Sequence, residues 1–130
     1  MMVVDASAIL AIVLKEPDGP DFEQALIASN GGLISPVNYW EALARAWAEF
    51  GGAGRQAVRG VMANLRVEVE TLSAIDAEAA ADAFERYGRR SGGPLNLGDC
   101  FAYALARREG GQLLFKGGDF PATDIQSALR

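Results

Sequence analysis

The chain has 130 residues, half of them apolar, and a formal charge of −5 from 12 basic and 17 acidic side chains. That length suits a single domain, read as residues 1–130, and the apolar share predicts folding rather than disorder. With no histidine and one cysteine, Cys100, the sequence excludes Ser-His-Asp and Cys-His nucleophiles, histidine acid–base chemistry and histidine-bearing zinc sites.

Met2 to Val4 read as a short buried strand, and Ala6 to Leu14 as a helix stopped by Pro17 and Gly19. This apolar start is interrupted by Asp5 and Ser7 and falls short of the roughly 20 residues that a membrane span needs. No basic run precedes it, so it does not read as a signal peptide, and a lone cysteine forms no internal disulfide. The expectation is a cytoplasmic protein with no membrane association.

Pro20 to Ser29 fit an amphipathic helix with Phe22, Ala25 and Leu26 inward, and Leu33-Ile34 a second strand. Ser35-Pro36 start another helix, with serine as cap and proline in the first turn. Val37, Trp40, Leu43, Ala44 and Trp47 keep helical spacing along it. Tyr39, Trp40, Trp47 and Phe50 offer more large apolar surface than one core-facing stripe needs, which points to a partner or a second subunit. Arg55 to Leu65 predict a helix, Val67, Val69 and Leu72 a strand, Asp76 to Tyr87 a helix, Gly98 to Arg108 a helix closed by Gly110-Gly111, and Leu113 to Phe115 the last strand. Short apolar strands alternating with helices imply an α/β fold, a three-layer α/β/α sandwich with a short central parallel sheet.

In such sheets ligands bind beyond the carboxyl ends of the strands. Asp5 ends the first strand, Asp119 follows the last, Asp99 lies in the first turn of one helix and Glu41 in the second turn of another. If these acids converge, their repulsion demands a cation. Carboxylates without histidine or thiolate describe a hard-metal site, Mg²⁺ with Mn²⁺ as a substitute. Each acid also has a structural alternative. Asp99 follows Asn96 at capping-box spacing, Glu41 precedes Arg45 by one helical turn as an ordinary ion pair would, and Asp119 suits a turn or a cap. Asp5 is the hardest to explain that way, since a charge between Val4 and Ala6 loses hydration without a visible partner.

The segments "VVDASAIL", "YWEALARA", "LNLGDCFAYALA" and "LLFKGGDFPATDI" together resemble the PIN-domain family, and within it the VapC-type toxins of bacterial toxin–antitoxin pairs. The resemblance spans essentially the whole chain. It implies that Asp5, Glu41, Asp99 and Asp119 hold Mg²⁺ and cut RNA, Asp5 and Asp99 as direct ligands, Glu41 as a ligand or orienter of water, and Asp119 at a second metal or through water. Many relatives carry a polar or acidic residue where this chain has Gly118, so Asp124 is an auxiliary or replacement acid for Asp119. The resemblance further implies an RNA substrate, transfer RNA being one class; a VapB-type antitoxin; a homodimer; and a toxin–antitoxin hetero-oligomer.

Arg86, Arg89 and Arg90 beside a glycine-rich loop suit RNA phosphates, or else a solvated basic helix end. Ser7 suits a hydrogen bond to a carboxylate or phosphate, or else a helix cap, and Lys116 a phosphate contact, or else plain solvation. Two other readings compete with the nuclease: a catalytically silent PIN fold that binds RNA or a partner, and a receiver-like phospho-accepting module. The receiver needs paired acids after the first strand and an aspartate ending the central one, where this chain has a lone Asp5 and, at the other place, Leu72-Ser73.

Overall fold

Val3 and Val4 are the whole of the central strand, β1 (Val3–Val4), in a computed structural model that describes residues 2–129. Both are fully buried. Side chains of a strand alternate between faces, so two residues suffice to reach both halves of the interior. Val3 packs with Leu95, Leu105, Leu113 and Phe115 on one side. Val4 packs with Ile9, Phe22, Leu26 and Leu114 on the other.

The remaining elements follow as α1 (Ala6–Val13), α2 (Gly19–Ala28), β2 (Gly32–Ile34), α3 (Pro36–Phe50), α4 (Gly52–Asn64), β3 (Val67–Val69), α5 (Ala74–Tyr87), α6 (Leu97–Arg108), β4 (Gln112–Leu114) and β5 (Gln126–Ser127). The strands run parallel in the order β3-β2-β1-β4-β5. Helices α1 to α4 supply the core on one face of the sheet, and α5 with α6 the core on the other, which is the expected α/β/α sandwich. The chain leaves β1 toward β2 on one side and returns to β4 on the other. The order therefore reverses beside β1, and a crevice opens at the carboxyl ends of β1 and β4.

Several boundaries differ from expectation for local reasons. Helix α4 begins at Gly52 rather than Arg55 because the glycine cluster is a corner, not a loop. Gly51 turns the chain at φ 63°, and a Cβ on Gly54 would lie 2.0 Å from the carbonyl oxygen of Ala46, so only glycine permits that approach of α4 to α3. Helix α5 begins at Ala74 because Ser73 and Asp76 form a capping box ahead of the expected start. On α3 the large apolar residues are not the inward ones. Its fully buried residues are Asn38, Ala42 and Ala46, while Trp40 and Trp47 are 67% and 58% exposed. Small side chains let α3 lie close to α1 and α4, and the large aromatics are left outside. Strand β5 was not expected, since two exposed polar residues, Gln126 and Ser127, carry no apolar pattern. Leu72 lies beyond β3. Among the described residues no helix is long and apolar enough to cross a membrane.

Candidate active site

Asp5 follows β1 directly, and its backbone N–H donates to the Leu114 carbonyl at 2.9 Å, which fixes it at the reversal point of the sheet. Its carboxylate caps α1: Oδ2 accepts from the Ser7 N–H at 3.0 Å and from the Ser7 hydroxyl at 2.6 Å. The expected alternative of Ser7 as the helix cap therefore gives way to Asp5. Ser7 Oγ also accepts from the Lys116 N–H at 2.9 Å, so one hydroxyl joins the end of β4 to Asp5. Asp5 is only 4% exposed, and its Oδ1 is buried with no hydrogen-bond partner among the described residues. Burial pushes the Asp5 carboxyl above its ordinary range; the Ser7 hydroxyl, the Ser7 N–H and the Ala6 N–H pull it back, and Asp119 pushes it up again.

Glu41 reaches the crevice from α3. That helix is set by Asn38, whose Oδ1 accepts from the Ser35 hydroxyl at 2.5 Å and whose amide donates to the Gly98 carbonyl at 3.0 Å. A Cβ on Gly98 would lie 3.6 Å from Glu41 Oε2, so the Glu41 carboxylate sits against the first turn of α6. Burial raises the Glu41 pKa, and the charge of Asp5 adds to the rise.

Asp99 is the third residue of α6. Its N–H donates to Asn96 Oδ1 at 2.8 Å, and its Oδ2 accepts from the Asn96 N–H at 3.0 Å. The capping box exists, yet it occupies one oxygen of a side chain that is 8% exposed. Burial raises Asp99 from 3.8 to about 6, against the pull of the Asn96 N–H, with Asp5, Asp119 and Glu41 contributing repulsion. Asp119 is exposed and heads the turn Phe120–Ala122, but its side chain makes no cap.

These four acids line one cleft of about 280 Å³, with Ser7, Arg45, Arg89, Asn96, Lys116 and Phe120 around them. The expected convergence is present. Among the described residues, however, no three His, Cys, Asp or Glu side chains already form a metal-binding group. Asp5 and Asp99 each commit one oxygen to the cap of their own helix. The donor chemistry fits a hard divalent cation: carboxylate oxygens only, mutually repelling, one of them buried and unsatisfied.

Other expected residues fall elsewhere. Asp124 does not line the cleft; its carboxylate accepts from the Tyr103 hydroxyl and stands 3.6 Å from Arg107. Arg86 is engaged with Tyr87, donating to its hydroxyl at 2.9 Å with its guanidinium 4.9 Å from the ring centre. Arg90 is exposed outside the lining, whereas Arg89 is in it. Lys116 borders the cleft while its ammonium bridges Glu16 and Asp18 at 2.9 and 3.0 Å. Arg45 makes no ion pair with Glu41 within 4.0 Å among the described residues and instead lines the cleft, a role its spacing to Glu41 concealed. Asn38 was missed altogether; the available signal was a polar residue one turn after the Ser35 cap and one turn before Glu41.

The PIN domain profile matches residues 2–126. The chain is 40% identical over 125 residues to ribonuclease VapC30 of Mycobacterium tuberculosis, with 95% of each chain covered. It is 40% identical over 129 residues to ribonuclease VapC42 of the same species, with 98% of each covered, and 38% identical to the VapC ribonuclease R02377 of Rhizobium meliloti, covering 96% of this chain and 99% of that one. A crystal structure of M. tuberculosis VapC20, a toxin that cleaves the sarcin-ricin loop, superposes with a TM-score of 0.76 at 20% identity, covering 97% and 99% of the two chains. Full-length similarity at this level, on the sheet order and crevice described above, leaves one assignment: the chain belongs to the PIN domain family, as a member of its VapC group.

Proposed function

We propose that this protein is a Mg²⁺-dependent endoribonuclease, with Mn²⁺ as a substitute, acting in the cytoplasm as the toxin of a toxin–antitoxin pair. The naming of its full-length relatives as ribonucleases supports the reaction class. The observation that carries the metal dependence is the buried, unpartnered Oδ1 of Asp5 in a cleft shared with Glu41, Asp99 and Asp119. A carboxylate oxygen kept from water without a donor is stable only if a cation or a proton meets it.

Asp5 and Asp99 would hold the ion, and Asp119 would bind a second ion or act through water. When bound, the ion supplies positive charge that activates water and neutralises charge developing on the phosphate. Glu41, with its raised proton affinity, orients the attacking water and accepts its proton. Ser7 keeps Asp5 turned into the cleft through its 2.6 Å hydrogen bond. Arg45 and Arg89 border the acids and hold backbone phosphates of the RNA. Transfer RNA is the substrate class to test first.

A VapB-type antitoxin would lie along the aromatic surface of α3 and α4. A cavity of about 310 Å³ there is lined by Trp40, Leu43, Ala44, Trp47 and Arg55. A homodimer, and a hetero-oligomer with the antitoxin, complete the reading. Labelled RNA incubated with the protein in Mg²⁺ and in EDTA tests the activity. Cleavage in Mg²⁺ alone, abolished in folded Asp5→Asn and Asp99→Asn variants, is the expected outcome. Magnesium-dependent cleavage retained by both variants refutes the assignment.

A further inference from the structure

Of the four acids, Asp119 alone directly follows a pair of glycines. Gly117 holds φ +108°, and a Cβ on Gly117 or Gly118 would meet nothing within 4 Å. On its other side the chain is fastened. Phe120 is 2% exposed and packs on Phe115 with ring centres 5.0 Å apart. The Thr123 hydroxyl donates to the Phe120 carbonyl at 2.7 Å and accepts from the Ile125 N–H at 3.1 Å. Between these two, Asp124 accepts a hydrogen bond from the Tyr103 hydroxyl and pairs with Arg107.

Tyr103 follows Asp99 by four positions on α6, so the two lie on the same face of that helix. Its ring is 5% exposed and meets Tyr87 edge-on at 5.5 Å, which leaves the hydroxyl little freedom. One rigid helix face thus presents Asp99 to the cleft and, one turn further on, grips the strap that carries Asp119. A carboxylate engaged by a tyrosine and an arginine is not a free cation ligand, so Asp124 acts on the cleft only through the strap.

We propose that the Tyr103–Asp124 pair is a positioning latch that sets Asp119 against Asp99 for cation binding, a role that rests on the metal reading above. Residues that orient a ligand from outside the coordination sphere typically contribute about tenfold in metal affinity. The latch ties the glycine-led segment that carries Asp119 to the helix that carries Asp99, and its loss shifts Asp119 relative to Asp99.

The test is Mn²⁺ titration of the full chain without RNA, followed by calorimetry or electron paramagnetic resonance. Tyr103→Phe, which keeps the buried ring, and Asp124→Ala, at an exposed position, each weaken Mn²⁺ binding about tenfold. Asp124→Asn, which keeps an acceptor for the Tyr103 hydroxyl, stays close to the parent protein. In an Asp119→Ala background Tyr103→Phe changes Mn²⁺ affinity no further, because the acid it positions is gone. A purely structural hydrogen bond would lower the melting temperature in both backgrounds and leave Mn²⁺ affinity unchanged, and that result overturns the latch. If Asp5→Asn loses Mn²⁺ binding while the latch variants keep it, the latch alone fails. If Asp5→Asn binds Mn²⁺ as the parent does, the metal reading and the latch fall together.

Discussion

The side-chain amide of Asn38 donates to the backbone carbonyl of Gly98 at 3.0 Å across 60 residues of sequence. It joins the helix that carries Glu41 to the first turn of the helix that carries Asp99. Asn38 is fully buried and Gly98 half-buried, so the donor end of this bond is shielded from water. Asn38→Ala removes the amide that ties α3 to the Gly98 carbonyl and leaves the buried Ser35 hydroxyl without its acceptor, at a cost of about 1–3 kcal/mol. Urea denaturation measures it as a lower midpoint with an unchanged slope. A midpoint equal to that of the parent protein contradicts the bridging role.

Asp99 makes the metal-free protein less stable as pH rises. Its folded pKa, about 6, lies above the ordinary 3.8. Its contribution is therefore fully present below 3.8 and lost as pH climbs through about 6. Allowing for solvent screening, the loss is on the order of 1–2 kcal/mol. In EDTA, Asp99→Asn is more stable than the parent at about pH 7, and the gap closes toward about pH 4. Paired denaturation curves at the two pH values check this, since the other acids titrate in both proteins. A gap that is constant with pH, or that reverses sign, refutes it.

Arginines that read alike in sequence should behave differently toward RNA. Arg89 borders the cleft, whereas Arg86 is occupied by Tyr87. Arg89→Ala is expected to reduce the slope of log affinity against log salt by about 0.7, the value for one lost single-strand phosphate contact. Arg86→Ala leaves the slope unchanged. Equal slopes for the two variants, measured on a cleavage-dead Asp5→Asn protein, contradict the assignment.

Trp47 is 58% exposed and adds little to the fold. Trp47→Ala is expected to change folding stability by less than about 0.5 kcal/mol. As an anchor for an antitoxin it would cost at least about 2 kcal/mol of binding free energy. Denaturation of the toxin alone and titration with the cognate antitoxin separate the two effects. Unchanged antitoxin affinity rules out this face as the docking surface.

The sandwich was legible because its inner strands β2, β1 and β4 are short and largely apolar and its helices carry explicit caps at Ser35 and Asn96. The convergence of Asp5, Glu41, Asp99 and Asp119 followed from where they fall relative to strand ends, and the cleft contains all four. What stayed hidden was decided by tertiary packing. Asn38 and Ala46 face inward on α3 because close approach favours small and hydrogen-bonded groups over tryptophan. Strand β5 pairs through its backbone with β4, and its exposed side chains carry no pattern. Asp124 read as a candidate ligand because sequence proximity to Asp119 says nothing about the Tyr103 hydroxyl on another element.

A Mn²⁺-soaked crystal measured for anomalous scattering tests the central claim most directly. The account predicts a peak within about 2.2 Å of carboxylate oxygens from both Asp5 and Asp99, with the Oδ1 of Asp5 among them. No peak in that cleft at saturating Mn²⁺, or one that leaves Asp5 uncoordinated, contradicts it.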